Sequence, residues 1–360
     1  MIRRLTIENF RCFQDLKVDG LATVNVLVGA NASGKTSLLE AIFLAAGGSP
    51  EIVLRLATWR GLGQSIPISR QRGSYEAIWA DLFFRFDQEQ PILISLSGDP
   101  ETSRTLRISY NPSGILTIPA SSDKRSTAMI DQKFDSSAIA PIIFEWTDAT
   151  GEKHQFQVSV TTEGLSLGGL PMPSLISFFS SSFTAVGNPS ETAGQFSELN
   201  KRKQGDKIRS ALRSAFPDIT DISVEISRGM AMIHCEVPWV PHRVPVGLVS
   251  TGIQKLMAIL LGISSQARGV VLVDEIENGL YYKTMPEVWK SLLRFCEEFG
   301  VQLFASTHSR ECLRAALPTI AGNEQKFRLI RMERKKSQCS PRIFDGHEFA
   351  IAIQEEVEFR

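Results

Sequence analysis

VLVGANASGKT, residues 26–36, decides how this chain is read. An apolar run ends at Gly29, the segment Gly29–Thr36 fits G-x-x-x-x-G-K-[ST], and a helical pattern follows from Thr36 to Ala46. Strand, glycine loop and helix form the context in which that spacing carries chemistry. Glycines let backbone N–H groups close around phosphates, a lysine reaches the β and γ phosphates, and the final hydroxyl can hold Mg2+. Gly29, Asn31, Ser33, Gly34, Lys35, Thr36 and Ser37 are therefore the candidate ATP contacts, with Thr36 also a candidate Mg2+ ligand. In the nucleotide-free loop the Lys35 ammonium is expected to face solvent.

Three more stretches answer to this loop. In GVVLVDEIENGL (269–280) a buried strand delivers Asp274 to the C-terminal edge of a parallel sheet, where ligands of open α/β folds sit. Asp274 can orient Mg2+ or its water there, and Glu275 beside it is placed to orient an attacking water. In VQLFASTHSRE (301–311) the next apolar strand ends at His308, either a γ-phosphate contact or a hydrogen-bonded structural residue. GLVSTGIQKLMAIL (247–260) reads two ways. Ser250 or Thr251 caps a helix whose Leu256, Ile259 and Leu260 recur at helical spacing, or the stretch is half of a nucleotide site.

The wider composition sets bounds. At 360 residues, and roughly 100–200 residues per domain, the chain holds two domains or one domain in two lobes, here placed at 1–175 and 176–360. Lys plus Arg equal Asp plus Glu at 39 each, so DNA binding would need a local patch. NKRKQGDK (200–207) and RMERKK (331–336) are such patches, or else solvated faces. Five scattered cysteines lack metal-site spacing and read as reduced thiols. MIRRLTIENF continues into no apolar leader and no run of 18 apolar residues occurs, so a cytoplasmic protein without membrane contact is expected.

Along the chain, RRLTIENFRCF alternates as a strand. From about residue 75 to 167 the short runs ILISLSG, RTLRISY, GILTIPA, PIIFEWT and QFQVSV read as an antiparallel meander. SSDKRSTAMIDQKFDSS reads as a polar loop and FFSSSFTAVGNPSETAG as an irregular crossing. A helix near Asp206–Phe216, the strands DISVEIS and MAMIHCEV, and then alternating helices and strands predict a parallel sheet covered by helices.

This order resembles the ATP-binding-cassette (ABC) ATPases, in the branch that includes RecF and the heads of SMC proteins. The resemblance implies an α/β P-loop NTPase, an ABC-type ATPase head with an antiparallel β meander inserted between P-loop and signature helix. In that family a Leu-Ser-Gly-Gly-Gln-like signature binds the γ-phosphate held by the other protomer, which implies an ATP-dependent homodimer. LVSTGIQ matches at Ser250, Gly252 and Gln254 and departs at Val249 and Thr251. IENFRCF, DEIENGLYY and THSRECLRA are more closely similar to the bacterial OLD-family ATPases and their nuclease-free AAA relatives, from Met1 to about residue 330. Tyr281 stands where that family usually has histidine. The likeness implies a D-loop at Ile276–Leu280 and a nucleotide contact by Arg11, whose alternative is a solvated surface arginine. OLD nucleases continue into a TOPRIM domain. Here IFDGHEFAIAIQEEVEFR reads as a strand end and an amphipathic helix, with Glu355, Glu356 and Glu358 on its solvated face, so a nuclease is expected as a separate partner. The expected function is an ATP-driven switch controlling such an effector in DNA repair or phage defence. The alternative is a RecF-like clamp that grips DNA itself.

Overall fold

The structure is a computed structural model that describes residues 1–59, 79–111, 142–161, 164–168, 172–180, 189–227, 229–336 and 338–355. A six-stranded sheet holds the site. Its order is β16 (Gln338–Asp345), β15 (Phe327–Lys335), β3 (Val24–Val28), β14 (Gln302–Ser306), β13 (Val270–Val273) and β9 (Ile176–Ser180). All neighbours run parallel except β16, which returns antiparallel along β15. β3, β13 and β14 are buried throughout, as strands covered on both faces must be. Their pleat divides the side chains between two cores. Val24, Val26, Val271, Val273, Leu303 and Ala305 enter one, while Leu27, Val270, Leu272 and Phe304 enter the other.

The first core is closed by helices: α3 (Pro189–Lys201), α4 (Gly205–Ala215), α5 (Thr251–Ser265), α6 (Met285–Phe299) and α7 (Arg310–Ile320). The second is closed by α1 (Lys35–Gly47), by α2 (Glu51–Trp59) and by a seven-stranded antiparallel sheet. That sheet runs β2 (Phe13–Asp19), β1 (Ile2–Phe10), β4 (Ile92–Gly98), β5 (Arg104–Tyr110), β6 (Ile142–Asp148), β7 (Lys153–Thr161), β8 (Gly164–Gly168). Trp146 of β6 donates its indole N–H to the carbonyls of Leu44 and Ala45 at the C-terminal end of α1. Gln302, at the start of β14, holds both the amide and the carbonyl of Ile2, stapling β1 to the parallel sheet.

A three-stranded sheet, β10 (Asp221–Ser227), β11 (Met230–Glu236) and β12 (Val244–Pro245), packs beside α3. A one-turn helix, Val246–Val249, leads from it into α5. After β16 the short helix α8 (Gly346–Gln354) starts with a capping box of Asp345 and Glu348. No described helix is long and apolar enough to cross a membrane.

Three expectations change. RRLTIENFRCF is a hairpin, β1 and β2, because Asn9 and Arg11 take left-handed backbone at φ 54° and 53° and turn the chain. FFSSSFTAVGNPSETAG is not simply irregular: it contains the end of β9 and the start of α3, whose Ala193, Phe196 and Leu199 pack inward despite its polar composition. Glu355 lies past the end of α8 rather than on its face, and Glu356 and Glu358 lie outside the described residues. GILTIPA and SSDKRSTAMIDQKFDSS also lie outside them.

Candidate nucleotide site

The loop after β3 owes its shape to backbone that ordinary residues resist. Gly29, Ala32 and Gly34 have φ of 137°, 59° and 101°. At Gly29 a Cβ would stand 2.2 Å from the Met332 carbonyl oxygen, so the loop can lie against β15 only if this position is glycine. Arg334 of β15 donates its Nε to the Ala32 carbonyl at 2.8 Å. α1 begins at Lys35 with Gly34 as its N-cap and no side-chain cap, which leaves the helix N-terminus available to an anion. The Ser33 hydroxyl is buried with no hydrogen-bond partner among the described residues. Asn31 is exposed, Ser37 half-buried.

Lys35 does not face solvent. It is 5% exposed, and its Nζ donates to the Gly29 carbonyl at 2.8 Å and the Ala30 carbonyl at 3.0 Å. Burial lowers its pKa, opposed by the charges of Asp274, Glu275 and Glu277. The ammonium is thus pulled into the loop by carbonyls that curl toward it.

Across the sheet, Thr36 Oγ1 donates to Asp274 Oδ2 at 3.0 Å, joining the loop to the end of β13. Asp274 is buried and its other oxygen accepts from Ser306 Oγ at the end of β14. The Asp274 amide binds the Ser180 carbonyl of β9 at 2.8 Å. A hydroxyl and a carboxylate side by side at a sheet edge are hard oxygen donors that suit Mg2+.

Glu275 has φ 50°, a left-handed conformation that costs a residue with a side chain about 1–2 kcal/mol. Four bonds hold it there. Its amide donates to Ser306 Oγ at 2.8 Å; its carbonyl accepts from the Asn278 amide at 3.0 Å and from Lys255 Nζ at 2.6 Å; Asn278 Nδ2 reaches its Oε2 at 2.5 Å. Strain held in this way at the strand end makes Glu275 a candidate for function.

His308 is exposed just past β14, and its amide donates to Glu277 Oε1 at 2.8 Å. Glu277 and Lys255 escaped the sequence reading. Their bonded partners are backbone atoms 31 and 20 residues away, so nothing local distinguishes them from solvated charges.

Ser250 is the N-cap of α5, its Oγ accepting from the amides of Gly252 at 3.2 Å and Ile253 at 3.5 Å. A Cβ on Gly252 would lie 2.3 Å from the Gly279 carbonyl oxygen, so the first turn of α5 abuts the turn 275–280. Gln254 turns toward Gly247 and a cavity lined by Met232, Ile233, Pro245 and Met257. Among the described residues no hydrogen bond joins Ser250, Gly252 or Gln254 to the 29–37 loop of the same chain.

Arg11 is not a solvated surface residue. Its side chain is 9% exposed, its Nη1 binds the Asp81 carbonyl at 2.9 Å and pairs with the Asp81 carboxylate, and its Nε lies 3.4 Å from Glu40 of α1. It reaches the helix behind the loop rather than the loop itself. Tyr281 is 55% exposed and stacks edge-to-face on Tyr282 at 4.8 Å.

The fold is shared with a solved head domain. Over 96% of this chain and 98% of its own, an SMC head solved with the C-winged helix domain of ScpA is similar at a TM-score of 0.51 and 13% identity. Residues 4–164 match the AAA domain family, and residues 166–313 match a second AAA domain family whose description adds the AbiEii toxin and the Type IV TA system. An ATP/GTP phosphatase of Helicobacter pylori is 20% identical over 378 aligned positions, covering 99% of each chain. The DNA replication and repair protein RecF of Heliobacterium modesticaldum is 47% identical over 47 residues, 13% of each chain.

Proposed function

We propose that the chain binds ATP at the 29–37 loop and hydrolyses it with Glu275. The observation that carries this reading is the 3.0 Å bond from Thr36 to Asp274, which brings two motifs 238 residues apart to one point. When bound there, Mg2+ would draw charge from the transferring phosphate, held by Thr36 and Asp274. Lys35 is already inside the loop, Ser33 Oγ is a free buried donor, and the open N-terminus of α1 completes the phosphate cradle. Glu275 orients the attacking water and takes its proton; the exposed His308 is the proposed γ-phosphate contact.

Ser250 and Gly252 make no bond to their own loop, which favours their meeting ATP held by a second copy, so the working unit is an ATP-closed homodimer. Such a switch would drive a separate effector such as a nuclease, in DNA repair or phage defence. The AbiEii description and the likeness to RecF are what point to those settings. The second reading is a RecF-like DNA clamp. It finds less footing, because Lys201, Lys207, Arg331 and Lys335 each lie within 4.0 Å of a carboxylate. Salt-dependent binding to duplex DNA with and without ATP separates the two.

Glu275→Gln tests the catalytic assignment. It keeps size and hydrogen bonding and removes the base, so ATP should bind as in the wild type while turnover drops roughly a hundredfold or more. Turnover at the wild-type rate would end the assignment.

A further inference from the structure

Lys255 lies on α5, five residues beyond the Ser250 cap, and is half-buried. Its Nζ donates to the Glu275 carbonyl at 2.6 Å, and among the described residues no carboxylate oxygen lies within ion-pair distance of it. Burial pulls its pKa down to about 8, with Glu277, Glu275 and Asp274 opposing. A cation held in this way is expensive to keep and contributes little to an apolar core. It does bind the carbonyl of Glu275, a residue in left-handed backbone, together with the Asn278 amide. Gly252, a turn earlier on α5, lies against Gly279 at the other end of the same turn. α5 therefore grips the 275–280 turn at both ends.

We infer that Lys255 is a positioning residue for Glu275: by holding the Glu275 carbonyl it locks the catalytic turn to the helix that begins at Ser250, so the two move as one body. The inference rests on the reading of Glu275 as the water-orienting base. It adds a residue 20 positions away in sequence, and it gives the helix N-terminus a mechanical route to the catalytic carboxylate within one chain.

Lys255→Met removes the donor and keeps the length of the apolar stem; Lys255→Arg keeps a donor. Two readouts are needed. Hydrogen exchange of the nucleotide-free protein should show faster exchange of the 275–280 amides in Lys255→Met, with Lys255→Arg between it and the wild type. Steady-state kinetics should show kcat at least tenfold lower in Lys255→Met, with ATP affinity within twofold of the wild type and partial recovery of kcat in Lys255→Arg. Unchanged exchange across 275–280, or unchanged kcat, overturns the inference. A loss of thermal stability with kcat preserved in the folded fraction would mark a structural residue and overturn it equally. If the wild type does not hydrolyse ATP, the proposed function fails, and the exchange experiment still judges Lys255. If Lys255→Met does not fold, Lys255→Arg must still show intermediate exchange and lowered kcat; wild-type behaviour in both overturns the inference.

Discussion

Lys35 is bonded to the Gly29 and Ala30 carbonyls of its own loop. Its two bonds and the cost of burying its charge oppose each other, so Lys35→Ala should barely change the melting temperature without nucleotide. ATP affinity should fall roughly a hundredfold, as expected when an ionised donor to phosphate is lost. Calorimetric melting and equilibrium ATP binding measure the two effects separately, and a large loss of stability in the apo protein would refute this account of the burial. The sequence made the loop, Asp274, Glu275 and His308 candidates because each sits at a boundary that composition reveals, an apolar strand ending in a glycine, an acid or a short polar run. Lys255, Glu277 and Arg334 were not legible. Each acts through a main-chain oxygen or amide, and a backbone atom leaves no trace in residue identity.

Asp221 is the joint between elements on the helical side. At the start of β10 it accepts from Arg243 at 2.7 Å and pairs with Arg209 of α4 at 3.2 Å and Arg213 at 3.9 Å. Burial pushes its carboxyl up, but the Ile222 amide, the Arg243 hydrogen bond and the charges of Arg243 and Arg209 bring it below its ordinary value. A carboxyl lowered by folding stabilises the folded state above its ordinary pKa and loses that contribution as pH falls through the lowered one. Asp221→Asn should therefore lower the melting temperature modestly at neutral pH, and the gap to the wild type should close in acid. A gap that widens on acidification would contradict the direction of the shift. The same scale shows where periodicity serves and where it does not. β3, β13 and β14 announce themselves as unbroken apolar runs, because both faces are covered. α3 hides, because only a narrow stripe of PSETAGQFSELNK packs inward, and the hairpin of β1 and β2 hides because its turn is made by two left-handed non-glycine residues.

For the molecule as a whole, the decisive question is what meets Ser250. If it is ATP on a second copy, Glu275→Gln should become a stable dimer when ATP is added. Adding Ser250→Arg, which fills the phosphate position, should prevent that while ATP binding at Lys35 persists. Sedimentation with and without ATP reads both outcomes, and a double variant that dimerises as readily as the single one would leave STGIQ as a capped helix and nothing more. The sequence implies such assembly only through the resemblance of LVSTGIQ to a signature, because the arrangement of two chains is set by surfaces rather than by any one stretch. Trp146, finally, turns the back of the site into an optical gauge. Its indole leans on the end of α1 opposite the phosphate loop, about 20 Å away along a helix of 13 residues. A nucleotide that draws α1 forward would loosen that contact and shift the emission of a buried chromophore, a signal that should vanish in Lys35→Ala and in Trp146→Phe alike.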